Sequence, residues 1–130
     1  MALVQRLRDG LPEAAAATDD WLSRRSWLAS GHAGVWLEAF TDRSSEAIRR
    51  RDAAALTAQT RFIAAEYLHG PEPVRALIAS AYAENLMWDL DALDRVWAWP
   101  HIDATLQALY ALRWGAPQDV GSVCGAGSPG

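Results

Sequence analysis

The sequence predicts a single all-α domain of five to six helices that pack as antiparallel helical hairpins. Apolar residues recur three and four positions apart through most of the chain, and segments with Gly and Pro separate these periodic stretches. Of the 130 residues, 51% are apolar and 22% are charged, a balance typical of one globular domain. We expect this domain to span residues 1–115, followed by a C-terminal tail over residues 116–130 that is rich in Gly, Ser and Pro.

The N-terminal part predicts two or three helices. Residues 2–9 form a short first helix, and Pro12 suits the first position of the second because the N–H that proline lacks is not needed there. The second helix extends to about Ala29, although residues 18–20 are also able to end it and cap a new one, and both interpretations stay open. Residues 30–34, of sequence SGHAG, then predict a turn.

Residues 35–51 predict the next helix, with apolar side chains on one face. Arg49, Arg50 and Arg51 lie in its last turn, where cations meet the negative end of the helix dipole. Three basic residues at a helix end more often cap and solvate it than bind phosphate. This triplet therefore does not predict a nucleic-acid site.

Residues 52–88 predict the helical hairpin around which the rest of the chain is expected to be organised. Asp52 caps the first helix, which continues without Gly or Pro to His69. Gly70 fits a left-handed cap at the C-terminus of this helix, and Pro73 starts the second helix. Apolar residues at three- and four-residue spacing then predict one continuous helix to the end of the stretch.

The last part of the domain predicts two shorter helices. Asp89 and Asp91 open the first of them, which ends at Trp99 because a residue that precedes proline is biased away from helical geometry. Pro100 begins the final helix, and Gly115 closes its C-terminus.

The strongest candidate for metal chemistry is the Glu-x-x-His pair of Glu66 and His69. Di-iron helical bundles use this motif twice, but the residue three positions after Glu84 is Met87. Helix geometry also separates Glu66 from Glu84 by about 12 Å along the hairpin, too far for them to share a metal. We therefore predict no metal site and no cofactor, and expect each half-buried glutamate to accept a hydrogen bond. The candidate donors, among which the sequence does not choose, are Arg61, Arg75 and Arg95.

The sequence contains no recognisable catalytic constellation. His32, His69 and His101 each lie at a turn or a helix end, without a cysteine partner or a His-x-x-x-His spacing. Cys124 lies in the tail, and neither a Gly-x-Ser-x-Gly nor a Gly-x-x-x-x-Gly-Lys motif occurs. We therefore identify no catalytic residue and predict a protein that is not an enzyme.

The composition favours a cytoplasmic bacterial protein. All twelve basic residues are Arg and none is Lys, while Ala is abundant, a bias typical of a GC-rich bacterium. No apolar run approaches the roughly 20 residues that a membrane helix needs, and the N-terminus lacks the apolar core of a signal peptide. The single cysteine agrees with a reducing compartment. We expect no contact with membranes.

The net charge of −4 is unevenly distributed along the chain. Residues 1–65 carry nine Arg against eight acids, or +1, whereas residues 66–130 carry three Arg against eight acids, or −5. The acidic half disfavours a nucleic-acid partner, since phosphate binding needs clustered basic residues. It is compatible with a basic protein partner, and equally with a solvated acidic face that binds nothing.

Seven tryptophans in 130 residues are hard to bury completely, and tryptophan is enriched where proteins bind each other. In residues 88–103, three tryptophans are interleaved with aspartates, a composition expected of a surface that meets a cationic partner. An ordinary packed corner is the alternative interpretation. The predicted partner-binding residues are Trp88, Asp89, Asp91, Asp94, Trp97, Trp99 and Asp103.

Four passages over residues 36–115 carry a resemblance to known proteins. They are a passage from Phe40 through Ala47-Ile48 to Asp52, an Ala-Glu66-Tyr-Leu stretch, an Ala-Glu84-Asn-Leu helix, and a terminal element with Trp-Pro100, Leu109-Tyr110 and Trp-Gly115. Together they resemble a family of small bacterial helical domains of unknown function, some of which look like immunity proteins. The resemblance implies an all-α fold and no established catalysis.

The leading functional hypothesis is a cytoplasmic immunity-type protein that binds and neutralises a cognate toxin through its acidic, Trp-containing surface. Charge complementarity with a more basic toxin would speed their association. Two alternatives stay open. One is a small-ligand- or metal-binding helical domain, with or without enzymatic activity, that uses Glu66, His69 or Glu84. The other is a regulatory or structural subunit that homodimerises through exposed aromatic residues.

Overall fold

The computed structural model describes residues 2–25 and 33–117, and these residues form an all-helical structure. Seven α-helices and no strand occur in the described ranges, so the all-α class is confirmed while the number of helices exceeds the five to six expected. Within the same ranges, no helix combines the length and the apolar character needed to cross a membrane. The α-helices are α1 (Ala2–Gly10), α2 (Pro12–Arg24), α3 (Ala33–Arg49), α4 (Ala53–His69), α5 (Glu72–Leu77), α6 (Ala92–Ala98) and α7 (Ala104–Trp114).

The choice left open at residues 18–20 is resolved, because α2 runs through them without a break. The hydroxyl of Thr18 donates to the carbonyl oxygen of Ala14 at 2.9 Å instead of capping a new helix. Other predictions fall outside the described residues: the helix end near Ala29, most of the turn over 30–34, the tail from residue 118, and Trp27, His32 and Cys124.

Two helix ends predicted from single residues are confirmed. The carboxylate of Asp52 accepts a hydrogen bond from the backbone N–H of Ala55 at 3.0 Å and so caps α4. α7 ends at Gly115, which has a φ of +78°, a conformation that residues with a side chain rarely adopt.

The left-handed cap predicted at Gly70 is wrong. Gly70 follows α4 with a φ of −85° and a ψ of 159°, which is extended backbone. A Cβ atom added there would lie 2.5 Å from the backbone carbonyl oxygen of Glu66. The position therefore needs glycine for space and not for a positive φ, two requirements that look identical in a sequence.

The helix expected over residues 35–51 is α3, and it is shifted towards the N-terminus. Arg51 lies beyond its end with a left-handed φ of 57°, and the N–H of Asp52 donates to the carbonyl oxygen of Ala47 at 2.8 Å. This arrangement is the common left-handed closure of a helix, here built without glycine. Of the arginine triplet, only Arg49 lies within the helix.

The second helix predicted within residues 52–88 is not one continuous α-helix. α5 gives way to a π-helix, Ile78–Ala83, after which the N–H of Glu84 donates to the carbonyl oxygen of Ala79 at 3.1 Å. The helix expected to reach Trp88 therefore stops early, and turns follow it over residues 84–89. Met87 follows with a φ of 62° and a fully buried side chain.

The last helix does not begin at Pro100. Pro100 lies in a short 3-10 segment, Trp99–His101, and Ile102 then adopts extended backbone with a φ of −92° and a ψ of 133°. α7 begins after Asp103, whose carboxylate accepts a hydrogen bond from the N–H of Thr105 at 2.9 Å. The aspartate cap prevails because it satisfies a backbone N–H that a proline start leaves unpaired.

α3, and not the hairpin over residues 52–88, is the element around which the others pack. Ten of its 17 residues are buried, and it contacts α1, α2, α4, α6 and the π-helix. Trp36 stacks on Phe40 with ring centroids 5.4 Å apart, and the ring of Tyr82 lies 6.4 Å from that of Phe40. These three aromatic residues belong to the hydrophobic core.

Candidate partner-binding site

Two of the four aspartates predicted to bind a partner are helix caps. Asp91 accepts a hydrogen bond from the N–H of Asp94 at 2.8 Å and caps α6, as Asp103 caps α7. A capping carboxylate satisfies backbone N–H groups that would otherwise be unpaired. Both residues therefore have a structural role in the fold, whatever else they contact.

The other two aspartates pair with the basic end of α3. Asp89 forms an ion pair with Arg49 and accepts a hydrogen bond from Ser45 at 3.3 Å. Asp94 accepts a hydrogen bond from Arg51 at 2.8 Å. Two arginines of the 49–51 triplet thus neutralise two of the four aspartates of residues 88–103.

The three tryptophans of the same run differ in exposure. Trp97 is partly buried between Arg51, whose guanidinium lies 5.1 Å from the ring centroid, and His101, whose ring lies 4.7 Å away. Trp99 is also partly buried and meets Tyr110 edge to face at 5.7 Å. Trp88 is 64% exposed. Trp88 is therefore the member of the predicted set that offers an open aromatic surface.

Trp88 forms one wall of a cleft of about 300 Å³. The cleft lies where the end of α2, the first half of α3 and the turn after the π-helix meet, and we call it the Trp88 cleft. Asn85 is held in place by a hydrogen bond from its side-chain amide to the carbonyl oxygen of Ala81 at 3.0 Å. The lining residues are Trp21, Val35, Glu38, Ala39, Asp42, Asn85 and Trp88.

The Trp88 cleft is electronegative. Among the described residues, no arginine lies within ion-pair distance of Glu38 or Asp42, the two carboxylates that line it. Burial raises the pKa of the Asp42 carboxyl above its usual value. The charge of Arg43 and the indole N–H of Trp88 act in the opposite direction, and the negative charges of Asp89 and Glu46 raise the pKa further. A nearby cation would relieve this penalty.

The opposite wall of the cleft already carries one cation. The guanidinium of Arg25 lies 3.8 Å from the centroid of the Trp21 ring and donates to the Trp21 carbonyl oxygen at 3.2 Å. Stacking of this kind is favourable because the ring face is negative.

A second cleft, of about 400 Å³, lies on the other side of Trp88. Trp114 forms its far wall, and its indole N–H donates to the carbonyl oxygen of Glu84 at 3.0 Å. Arg113 stacks on Trp114 at 4.8 Å. Trp88 thus stands between two concave surfaces.

The glutamates considered for metal binding are both paired with arginine. Arg6 donates to Glu66 at 2.6 Å, and Arg113 lies 3.6 Å from Glu84. These partners are on α1 and α7, and neither was among the three arginines considered from sequence. In the described part of the chain, no group of three His, Cys, Asp or Glu side chains is arranged to hold a metal ion.

Sequence reasoning missed Glu38, Asp42 and Trp21. A signal for two of them was present, since Glu38, Asp42 and Glu46 follow one another at four-residue intervals on α3. Like charges at this spacing lie side by side on a helix and disfavour it by about 0.2–0.5 kcal/mol per pair. Such a stripe therefore requires an explanation beyond helix stability.

The fold and the cleft define a small all-α domain with an acidic, tryptophan-walled recess. The chain belongs to the family described as Domain of unknown function (DUF7674), whose model matches residues 4–115. The match includes α1 and α2, which lay outside the resemblance seen in the sequence. The family description states no activity and no immunity role. Comparison with curated proteins and with solved structures gives no significant match.

Proposed function

We propose that this domain is an immunity-type binding protein that neutralises a basic toxin by holding one of its cationic side chains in the Trp88 cleft. The observation that carries the proposal is the placement of an open indole, Trp88, beside the half-buried carboxyl of Asp42. Trp88 was predicted as a contact residue, whereas Glu38 and Asp42 take the place of the aspartates that are engaged within the fold.

The chemistry of the cleft favours a guanidinium or ammonium group. A cation over an indole ring gains about 0.5–1 kcal/mol when exposed and about 2 kcal/mol when water is excluded. Glu38 and Asp42 add carboxylate acceptors on the same side of α3. An arginine side chain is able to contact both the indole ring and the carboxylates, because its planar guanidinium stacks on aromatic rings and donates hydrogen bonds to carboxylates.

Support for a protein partner, as opposed to a free cation, comes from the surroundings of the cleft. Trp88 is a large, exposed side chain between two concave surfaces, and tryptophan is enriched among residues that dominate binding energy. The net charge of −4 also favours encounter with a basic protein. Occlusion of a basic functional surface is how such a complex would neutralise a toxin.

A peptide probe tests the cation site directly. Acetyl-Gly-Arg-Gly-amide is titrated into isotopically labelled protein while the indole N–H signal of Trp88 is followed by NMR. The matched control is the same peptide with citrulline, which keeps the shape and removes the charge. A shift with arginine and none with citrulline is expected, and equal responses would contradict a cation site.

The toxin is tested with the product of the reading frame immediately upstream of the gene. We expect this product to inhibit growth when produced alone and to bind the domain when both are produced. Trp88→Ala should weaken the complex about 30-fold or more, the loss expected for a binding hot spot. Leu68→Ala is the control, because Leu68 is comparably exposed, at 60%, and does not line the cleft. A non-toxic upstream product, or equal effects of the two substitutions, would contradict the proposal.

A further inference from the structure

Arg95 is held in place by the backbone of the turn that carries Trp88. Its Nε donates to the carbonyl oxygen of Met87 at 3.1 Å, and its Nη2 donates to the carbonyl oxygen of Trp88 at 3.4 Å. A guanidinium has five N–H donors, so these two bonds leave three on the terminal nitrogens. Arg95 is only partly buried and lines the second cleft beside Trp88. It is therefore a fixed group with donors still open to a ligand.

The positive charge of Arg95 has no carboxylate within ion-pair distance in the described ranges of the chain. Asp91, four residues earlier, has the spacing of an ion pair but accepts from the N–H of Asp94 and caps α6 instead. Asp89 and Asp94 pair with arginines of the 49–51 triplet. The aspartates nearest to Arg95 in the sequence are thus engaged elsewhere, which leaves its charge to an anion from outside the chain.

The second cleft, which we call the Trp114 cleft, surrounds Arg95 with aromatic and apolar side chains. It has a volume of about 400 Å³, and Arg95 is the one charged residue among the described residues that line it. The exposed indoles of Trp88 and Trp114 are two of its walls, and the buried side chains of Leu86 and Tyr110 also line it. Such surroundings strengthen the attraction between a guanidinium and an anion, because less water screens the two charges.

A carboxylate fits the Trp114 cleft better than a phosphate does. Its single negative charge matches the single positive charge of Arg95, and its two oxygens are able to accept from the terminal nitrogens of the guanidinium. A phosphate dianion needs a second cation, and the described lining offers none.

The two clefts that share Trp88 as a wall are opposite in charge. The charged residues of the Trp88 cleft are the carboxylates Glu38 and Asp42, whereas that of the Trp114 cleft is Arg95. A lone cation or a lone anion is complementary to one cleft only. A peptide segment with a basic and an acidic side chain is complementary to both.

We infer that the toxin segment that places a cationic side chain in the Trp88 cleft also places an acidic side chain in the Trp114 cleft, where its carboxylate binds Arg95. This inference rests on the proposed function, because the Trp88 cleft defines the first contact. An extended chain advances about 3.3 Å per residue. Basic and acidic residues two to four positions apart are therefore able to reach the two sides of one indole.

The experiment compares peptides that differ in one carboxylate. Acetyl-Gly-Arg-Gly-Gly-Asp-Gly-amide and its Asn counterpart are titrated into the labelled full-length protein while the indole N–H signals of Trp88 and Trp114 and the Nε–H signal of Arg95 are followed by NMR. Both peptides should shift the Trp88 signal, and only the Asp peptide should shift those of Trp114 and Arg95. The Asp peptide should bind about tenfold more tightly, the effect of one charged hydrogen bond.

Non-specific attraction predicts the opposite order of affinity. The protein has a net charge of −4, so attraction to its overall charge favours the Asn peptide, which is the more positive of the two. Peptides with one or three glycines between Arg and Asp measure which spacing spans Trp88 best. Tighter binding of the Asp peptide at one of these spacings is therefore a specific result.

Two variants locate the carboxylate. Arg95→Gln removes the charge and should abolish the difference between the two peptides while leaving the affinity for the Asn peptide unchanged. Ala116→Glu, at an exposed position in the lining of the Trp114 cleft, places a competing carboxylate there and should also abolish the difference with Arg95 intact. The matched controls are Ala116→Gln and Arg61→Gln, since Arg61 is exposed and lines neither cleft.

The outcomes separate this inference from the proposed function. Equal affinities of the Asp and Asn peptides at every spacing, with the Trp88 signal still shifted, would overturn the inference and leave the cation site standing. A preference for Asp that survives Arg95→Gln would place the carboxylate elsewhere and would also overturn it. An unshifted Trp88 signal with every arginine peptide would contradict the proposed function itself, and the inference with it.

Discussion

Trp36 donates its indole N–H to the carboxylate of Asp19 at 2.8 Å. The same carboxylate accepts two hydrogen bonds from Arg8, at 3.0 and 2.8 Å, so one side chain of α2 joins α1 to α3. Burial alone would raise the pKa of Asp19, but the hydrogen bonds from Arg8 and Trp36 outweigh it and hold the pKa below its usual value.

Asp19→Asn should therefore destabilise the protein in a pH-dependent way. A carboxyl whose pKa is lower in the folded state contributes stability above its unfolded pKa and loses that contribution as the pH falls through the folded value. We expect a loss of about 1–2 kcal/mol at pH 7 that narrows below about pH 3.9. Urea unfolding at several pH values measures it. Asp20→Asn, next in sequence but paired with Arg24 at the surface, is the control and should cost much less.

Asp42→Asn should have the opposite effect on stability. Burial raises the pKa of Asp42, so the ionised carboxyl destabilises the folded state at neutral pH, and this penalty disappears as the pH falls through the folded value. The variant should melt at a higher temperature than the parent at pH 7, with the difference lost in acid, and should bind the arginine peptide more weakly. Glu72→Gln, at an exposed carboxyl, is the control. A lower melting temperature of the variant at pH 7 would contradict a destabilising ionised carboxyl, and unchanged binding of the arginine peptide would contradict a binding role for this residue.

Gly70→Ala should lower the stability of the protein, whereas Gly34→Ala should leave it unchanged or raise it. At Gly70 an added Cβ would lie 2.5 Å from a backbone oxygen, whereas at Gly34 it would lie 3.6 Å from Leu77, an ordinary contact. We expect Gly70→Ala to cost about 1–3 kcal/mol, and Gly34→Ala, within α3, to be neutral or more stable by up to about 1 kcal/mol. Thermal unfolding of both variants tests whether space or backbone flexibility is what Gly70 provides.

The buried hydrogen bonds that link Tyr82, Ser44 and Gln59 predict that stability is most sensitive to substitution of Ser44, the middle residue. Ser44→Ala leaves two buried groups without a partner and should cost about 1–3 kcal/mol. Tyr82→Phe removes one end while Ser44 still donates to Gln59, so a loss of about 0.5–1.5 kcal/mol is expected. Burial raises the pKa of Tyr82, which keeps the phenol protonated as a donor. A larger loss for Tyr82→Phe than for Ser44→Ala would show that the polar chain is not the determinant.

Helix ends that depend on a single capping residue could be predicted from the sequence. Asp52 caps α4 and Gly115 ends α7 as predicted, because both act on the backbone within a few residues of themselves. The π-helix was not accessible, since three- and four-residue spacing continues across it and nothing local marks the extra residue. The central position of α3 depends on its neighbours on all sides, which only the fold provides.

The distribution of charge along the sequence was also misleading, because the fold brings together residues that are far apart in the sequence. The acidic second half of the sequence suggested an acidic face, but Glu66, Asp89 and Asp94 pair with arginines from the first half. Glu38 and Asp42, the cleft carboxylates without an arginine partner among the described residues, come instead from α3, in the half with a net positive charge. Net charge along a sequence predicts a surface only where the fold keeps neighbouring residues together.

The π-helix Ile78–Ala83 also affects how the Trp88 cleft responds to a change in chain length. A π-turn is equivalent to one residue inserted into an α-helix. The wide turn takes up the extra residue, so deleting one residue there would restore the regular helix and leave the residues after it on nearly the same side of the helix axis. Asn85 and Trp88, which follow directly, would keep their place in the Trp88 cleft opposite Glu38 and Asp42 of α3. A deletion within a regular α-helix would instead rotate them by about 100°.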